Sequence, residues 1–285
     1  MPQVTVRGTT IEYSEAGKGF PLLLCHEFGG SRESWDAQVR FFARRHRVIT
    51  YNARGFPPSG VPESLAAYSQ EQAVDDAYQL LQQLGIEQAY VGGLSMGGST
   101  ALHFALQHPQ VARAVIVGAA GTGSNDPDGF RHQCLEFADT IEREGMSAME
   151  GYATGPTRLQ LRRKDPVGYD EFCRLLAQHS PLGSALTLRG VQAGRPSIFD
   201  LGDELAKIET PTLILVGDED DPSLDPALFM KRHIKRSGLV VFPQAGHAIN
   251  LEDPELFNRT VLDFLTAVEA GTWATREAGS GVTFR

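Results

Sequence analysis

Ala89-Tyr-Val-Gly-Gly-Leu-Ser-Met-Gly-Gly98 decides the fold. A short apolar run enters two glycines and then Ser95. Further glycines open Ser99-Thr-Ala-Leu-His-Phe-Ala-Leu-Gln-His108, which has the composition of a helix. Gly93-Leu94-Ser95-Met96-Gly97 fits the pattern G-x-S-x-G in a strand, sharp turn, helix context. So tight a bend forces its serine into an unfavourable backbone conformation and brings the residues two before and two after it together, where only glycine leaves room. The bend exposes the hydroxyl beyond a strand end, beside the free N–H groups that open the next helix. A Gly/Ser-rich loop would satisfy the pattern alone; its placement between strand and helix marks Ser95 as a candidate nucleophile.

Working outward, Val4 to Tyr13 alternates with period two around a turn and reads as a hairpin. Phe20-Pro-Leu-Leu-Leu-Cys25, Arg47-Val-Ile-Thr-Tyr51, Val111 to Val117 and Pro211 to Gly217 are short apolar runs of the kind that form buried strands. Between them, helical spacing runs over Trp35 to Arg44 and Ser69 to Leu84, with Ser69 as N-cap and Gly85 just past the end. Leu224 to Arg236 is a further helix, Gly238 to Phe242 a strand, and Asp253 to Ala270 a final helix. This alternation predicts an α/β class protein with a mostly parallel central sheet covered by helices on both faces. It breaks between about Ser124 and Asp200, where helix-length segments follow one another without a strong strand.

Over almost its full length the chain resembles the α/β-hydrolase superfamily, most nearly small esterase-like members with Gly-Leu-Ser-Met-Gly-Gly at the serine. The resemblance implies a core of residues 1–123 and 201–270 and a helical lid at 124–200 shaping the substrate pocket; the stretch 271–285, rich in small and polar residues, is expected to be a weakly packed tail. It also implies partners in chain order serine, acid, histidine. Leu213 to Asp221 carries a carboxylate cluster directly after a strand, and Val240 to His247 carries a histidine after the next strand. By that match Asp220 orients and His247 is the base, with Asp221 or Asp218 as alternative acids. The other histidines considered, His103, His108, His132 and His179, read as surface or structural residues. The oxyanion donors would be the N–H groups of Met96 and, by the family pattern, Phe28.

Two departures stand out. The usual His-Gly-x-x is His26-Glu27-Phe28-Gly29 here, with a glutamate where glycine is common. Glu27 is expected to face solvent or pair with a base such as Arg54; facing inward, it would set a carboxylate near a site built for negative charge and tune substrate choice. Asn52-Ala-Arg-Gly-Phe-Pro-Pro-Ser59 lacks a glycine common in relatives, which alters a loop and leaves the triad intact. His26 and Glu27 join Phe130, Phe137, Tyr152 and Phe199 as candidate pocket residues.

The expected activity is a serine hydrolase of the carboxylesterase type, acting on a small-molecule ester or similar acyl compound. Carbon–carbon bond hydrolase, lactonase, thioesterase and cofactor-free perhydrolase (haloperoxidase-like) remain alternatives, as do a lyase using the triad as a base and a ligand-binding receptor on the same scaffold. Ser95 argues against relatives that use an aspartate nucleophile. No cofactor or metal is expected, because the four carboxylates at 218–221 lack a liganding loop pattern. A net charge of −9 argues against nucleic acid or anionic membrane as partner. The absence of an apolar run of about 20 residues and of an apolar leader core, with three scattered cysteines, suggests a cytoplasmic protein.

Overall fold

The computed structural model describes residues 2–276. Its centre is an eight-stranded sheet in the order β1-β2-β4-β3-β5-β6-β7-β8. The strands are β1 (Gln3–Val6), β2 (Thr9–Ala16), β3 (Phe20–Cys25), β4 (His46–Tyr51), β5 (Ala89–Leu94), β6 (Ala112–Gly118), β7 (Thr212–Gly217) and β8 (Ser237–Phe242). The hairpin β1–β2 is antiparallel, and β2 pairs antiparallel with β4. All other pairings are parallel. Central strands β5 and β7 are buried at every residue, as their continuous apolar runs require.

Alternation along the strands divides the core between the two faces. On one, Leu23, Val91, Val115 and Ile214 pack beneath α2 (Gln70–Gln83) and α3 (Met96–Gln107). On the other, Leu22, Leu24, Tyr90 and Leu213 meet Trp35 and Phe42 of the first helical segment, α1 (Asp36–Phe42) included. Ser69 caps α2 by accepting from Gln72 N–H at 3.0 Å.

Between β6 and β7 the chain runs through α4 (Pro127–Glu144), α5 (Glu150–Ala153), α6 (Leu159–Lys164), α7 (Pro166–Leu176) and α8 (Pro181–Thr187). A π-helical turn at Leu188–Gln192 and the short α9 (Gly202–Leu205) follow. These helices make their own apolar cluster, in which Ala138, Ile141, Leu161, Phe172 and Leu188 meet Phe28, Phe56 and Met96 of the sheet-bearing part.

α10 (Asp221–His233) begins three residues before the expected Leu224, because Pro222 fits a first helical turn where no N–H partner is needed. The chain then closes with α11 (Ile249–Glu252) and α12 (Pro254–Glu269). Beyond α12, Trp273 stacks edge-on to Phe264 at 4.7 Å and donates from Nε1 to Arg236 O at 3.0 Å, so the start of the expected loose tail is anchored. The part of that tail beyond residue 276 lies outside the described residues. Among the described residues no helix is long and apolar enough to cross a membrane.

Candidate active site

The turn at Ser95 has the strain its sequence implies. Ser95 sits at φ 54°, ψ −111°, a region few side-chain-bearing residues enter. Two close approaches force it there. A Cβ on Gly93 would lie 2.1 Å from Gly97 O, and one on Gly97 would lie 2.0 Å from Cys25 O. The bend is pinned by Ser95 N–H donating to Gly118 O at 2.7 Å. Ser95 is held at the carboxyl end of β5 and the start of α3, while its hydroxyl forms no hydrogen bond to protein among the described residues.

Two loops bring the acid and the base together. Asp220 follows β7 and stands at the N-cap of α10; His247 follows β8. His247 Nδ1 lies 2.8 Å from Asp220 Oδ2, so Nδ1 carries the proton that the carboxylate accepts and Nε2 is left free. Burial works against the charge on Asp220, but the adjacent His247 and this hydrogen bond outweigh it and hold the carboxyl below its usual range. Of the neighbouring acids, Asp218 accepts from Ala245 N–H at 3.1 Å and Glu219 from Gln160 Nε2 at 2.8 Å, so neither reaches the imidazole.

The loop around His247 is gripped from several sides. Its own N–H donates to Thr157 O at 2.9 Å. Glu252, buried one helical turn further on, accepts from Gly246 N–H at 2.6 Å and Ala248 N–H at 2.9 Å. Sequence reading overlooked Glu252; a carboxylate spaced to reach back to the amides on either side of a histidine is the signal that would have shown it.

Ser95, Asp220 and His247 line one cavity of about 370 Å³ together with Phe28, Phe130, Phe137 and Tyr152. Phe28 sits at the tip of a turn in which Glu27 O accepts from Gly30 N–H at 3.1 Å and from His26 Nδ1 at 2.6 Å. The Phe28 N–H has no protein acceptor among the described residues. Met96 is the first residue of α3, so its N–H is free of intrahelical bonding.

Three expectations about the pocket need correcting. Phe199 packs on Phe229 at 5.1 Å and does not line the cavity. His26 lines a separate space of about 30 Å³, where its Nε2 accepts from Ala53 N–H at 2.9 Å. Burial holds its imidazole neutral at ordinary pH, moving its pKa down. Glu27 does not line the cavity and does not face solvent; it pairs with a base as expected, but the base is Arg158, since Arg54 is engaged by Asp76 at 2.7 Å. Glu27 is 1% exposed, bound through both oxygens by Arg158, and also accepts from Tyr152 OH at 3.3 Å. Burial opposes the charge on Glu27, and the Arg158 guanidinium more than offsets it, leaving the carboxyl below its usual range. Its backbone is not in the left-handed region, so the glutamate stores no strain.

The sequence profile of the alpha/beta hydrolase fold matches residues 21–254. The 2-hydroxymuconate semialdehyde hydrolase of Pseudomonas sp. (strain CF600) is 30% identical, covering 94% of this chain and 94% of its own. The 2-hydroxy-6-oxo-6-phenylhexa-2,4-dienoate hydrolase of Comamonas testosteroni is 29% identical over 90% of this chain and 91% of its own. Among solved structures, a thermophilic esterase from Thermogutta terrifontis with malate bound superposes with a TM-score of 0.83 at 28% identity, covering 94% of this chain and 99% of that one.

Proposed function

The chain belongs to the α/β-hydrolase family, and from that premise we propose that it is a serine hydrolase acting on a carboxylic ester or similar small acyl compound. The observation that carries the reading is the 2.8 Å contact between His247 Nδ1 and Asp220, which directs Nε2 to the remaining task of accepting a proton. Ser95 Oγ attacks the carbonyl carbon and its proton passes to His247 Nε2. The tetrahedral oxyanion is held by the N–H groups of Met96 and Phe28, a donor of this kind being worth about 2.7–4 kcal/mol. His247 returns the proton to the leaving group, and the acyl-enzyme is then hydrolysed by water activated in the same way. Asp220 keeps the imidazole in the tautomer that both steps need.

The helices between β6 and β7 serve in this reading as a lid, since Phe130, Phe137 and Tyr152 come from them to wall the cavity. A fluorophosphonate probe is expected to label the wild-type protein and leave Ser95→Ala unlabelled; equal labelling of both would overturn the assignment. Carbon–carbon bond hydrolysis is the second reading, favoured by the names of the two hydrolase relatives from Pseudomonas and Comamonas. A panel of aryl esters, lactones, thioesters and a 2-hydroxy-6-oxo-dienoate separates the two by which compound is turned over.

A further inference from the structure

The wall of the cavity formed by the end of the helical segment holds a cation with no ion-pair partner among the described residues. Leu188, Gln192 and Arg195 follow one another at helical spacing, and all three line the cavity. The π-helical turn at Leu188–Gln192 is the local distortion that sets this face, a type of irregularity that clusters at functional sites. Arg195 is tethered at one corner, with Nη2 donating to Thr122 O at 2.7 Å, and its guanidinium lies 5.3 Å from the centre of the Phe130 ring. Its Nη1 is sealed from solvent and has no partner among the described residues.

The contrast with Arg158 is direct. Arg158 lines the same cavity, but Glu27 neutralises it. No carboxylate forms an ion pair with Arg195 among the described residues. Burial accordingly drives its pKa down to about 10, the opposite direction from Arg158. Arg195 is half-buried, but its sealed Nη1 has no acceptor, so an anion entering the cavity supplies a charge-assisted partner that the empty protein lacks. Aromatic walls around a single positive charge suit a planar monoanion better than a doubly charged phosphate.

We infer that Arg195 is a carboxylate subsite, and that the substrate class is acyl compounds carrying a free carboxylate away from the reacting carbonyl. This rests on the assignment of Ser95 as the nucleophile in the same cavity, and it deepens that reading by naming the substrate's other end.

The test compares mono-4-nitrophenyl glutarate with 4-nitrophenyl pentanoate, esters of equal chain length that differ by the terminal carboxylate. Wild type is expected to have the lower KM for the glutarate ester. Arg195→Met raises that KM on the order of 10–100-fold, the loss of a charge-assisted contact, with kcat kept, and raises the KM of the pentanoate ester by far less. Arg195→Lys restores part of the loss. Equal effects on both esters, or none on either, would overturn the inference. Should Arg195→Met fail to fold, binding to the intact protein decides. Glutarate then competes with pentanoate hydrolysis and raises the Tm of wild type and Ser95→Ala alike, or the subsite is rejected. Glutarate binding that needs Arg195 in a protein that cleaves neither ester would keep the subsite and reject the hydrolase reading instead.

Discussion

Glu27 and Arg158 form a buried two-point ion pair, 1% and 2% exposed, between the loop that follows β3 and the helical segment between β6 and β7. Glu27 stands directly before the oxyanion candidate Phe28. Arg158 also spans to Tyr152, with Nη2 2.5 Å from the hydroxyl. The residue before Arg158, Thr157, accepts from His247 N–H. One short stretch of chain thus grips both the oxyanion loop and the histidine loop.

Removing one partner of this pair leaves the other buried and uncompensated, so Arg158→Met is expected to cost about 3–5 kcal/mol. Glu27→Gln alone is milder, and the double variant loses less than the sum of the two. Urea denaturation of the four proteins gives the coupling energy; simple additivity would show that the pair is not energetically joined. The pair also has a pH signature. Because the carboxyl pKa of Glu27 is depressed, its contribution is complete above the ordinary range near about 4.3 and is lost as pH falls below it. The stability gap between wild type and Glu27→Gln should therefore narrow in acid.

Asp220 is separated from its neighbours by one hydrogen bond. Asp220→Asn is expected to lower kcat by about 10⁴-fold through the wrong imidazole tautomer, the size of effect that the same acid-to-amide change has in serine proteases with this triad. Asp221→Asn should stay near wild type, because Asp221 opens α10 and makes no contact with His247. Aryl-ester kinetics with burst titration distinguishes these; equal losses would move the orienting role elsewhere.

Ser95 holds a conformation costing about 1–3 kcal/mol. Glycine relieves that strain at an entropic cost of roughly 0.5–1 kcal/mol. Ser95→Gly should therefore be inactive yet more stable than Ser95→Ala by about 1 kcal/mol. A Tm for Ser95→Gly below that of Ser95→Ala would mean the turn is not strained.

His179 is buried, neither ring nitrogen has a partner among the described residues, and its ring lies 5.2 Å from Phe56. Burial first, then the nearby His26, pushes its pKa down to about 4. On lowering the pH from about 6.5, the unfolded chain takes up a proton that the folded protein refuses. Stability is thus lost across the window from about 6.5 to about 4, by about 3 kcal/mol in all. His179→Leu should flatten this part of the profile, read from denaturation midpoints at about pH 7 and about pH 4.5, on either side of most of that window. An unchanged slope would place the acid sensitivity on other groups.

Much of the architecture was legible because each signal is local. Apolar runs such as Phe20–Cys25 and Thr212–Gly217 mark buried strands by composition, and the glycines flanking Ser95 mark a bend by volume alone. The carboxylate cluster at 218–221 and His247 were legible as loop residues just past neighbouring strands, while the choice of Asp220 within the cluster came from the family resemblance. Phe199 was misplaced because an aromatic in a helical segment gives no sign of which side of its helix meets the cavity, and here Phe229 supplies the packing partner.

The order of strands, glycines and polar loop residues along the chain was therefore sufficient to specify the sheet and the strained serine, and to bring an acidic cluster and a histidine past adjacent strands; which acid meets His247 was decided by the 2.8 Å contact of Asp220. Which charges meet was left to the tertiary structure. Glu27 finds Arg158 across 131 residues, and Arg195 finds no carboxylate among the described residues. Ion pairing depends on distance and burial in space, and separation along the sequence does not encode either.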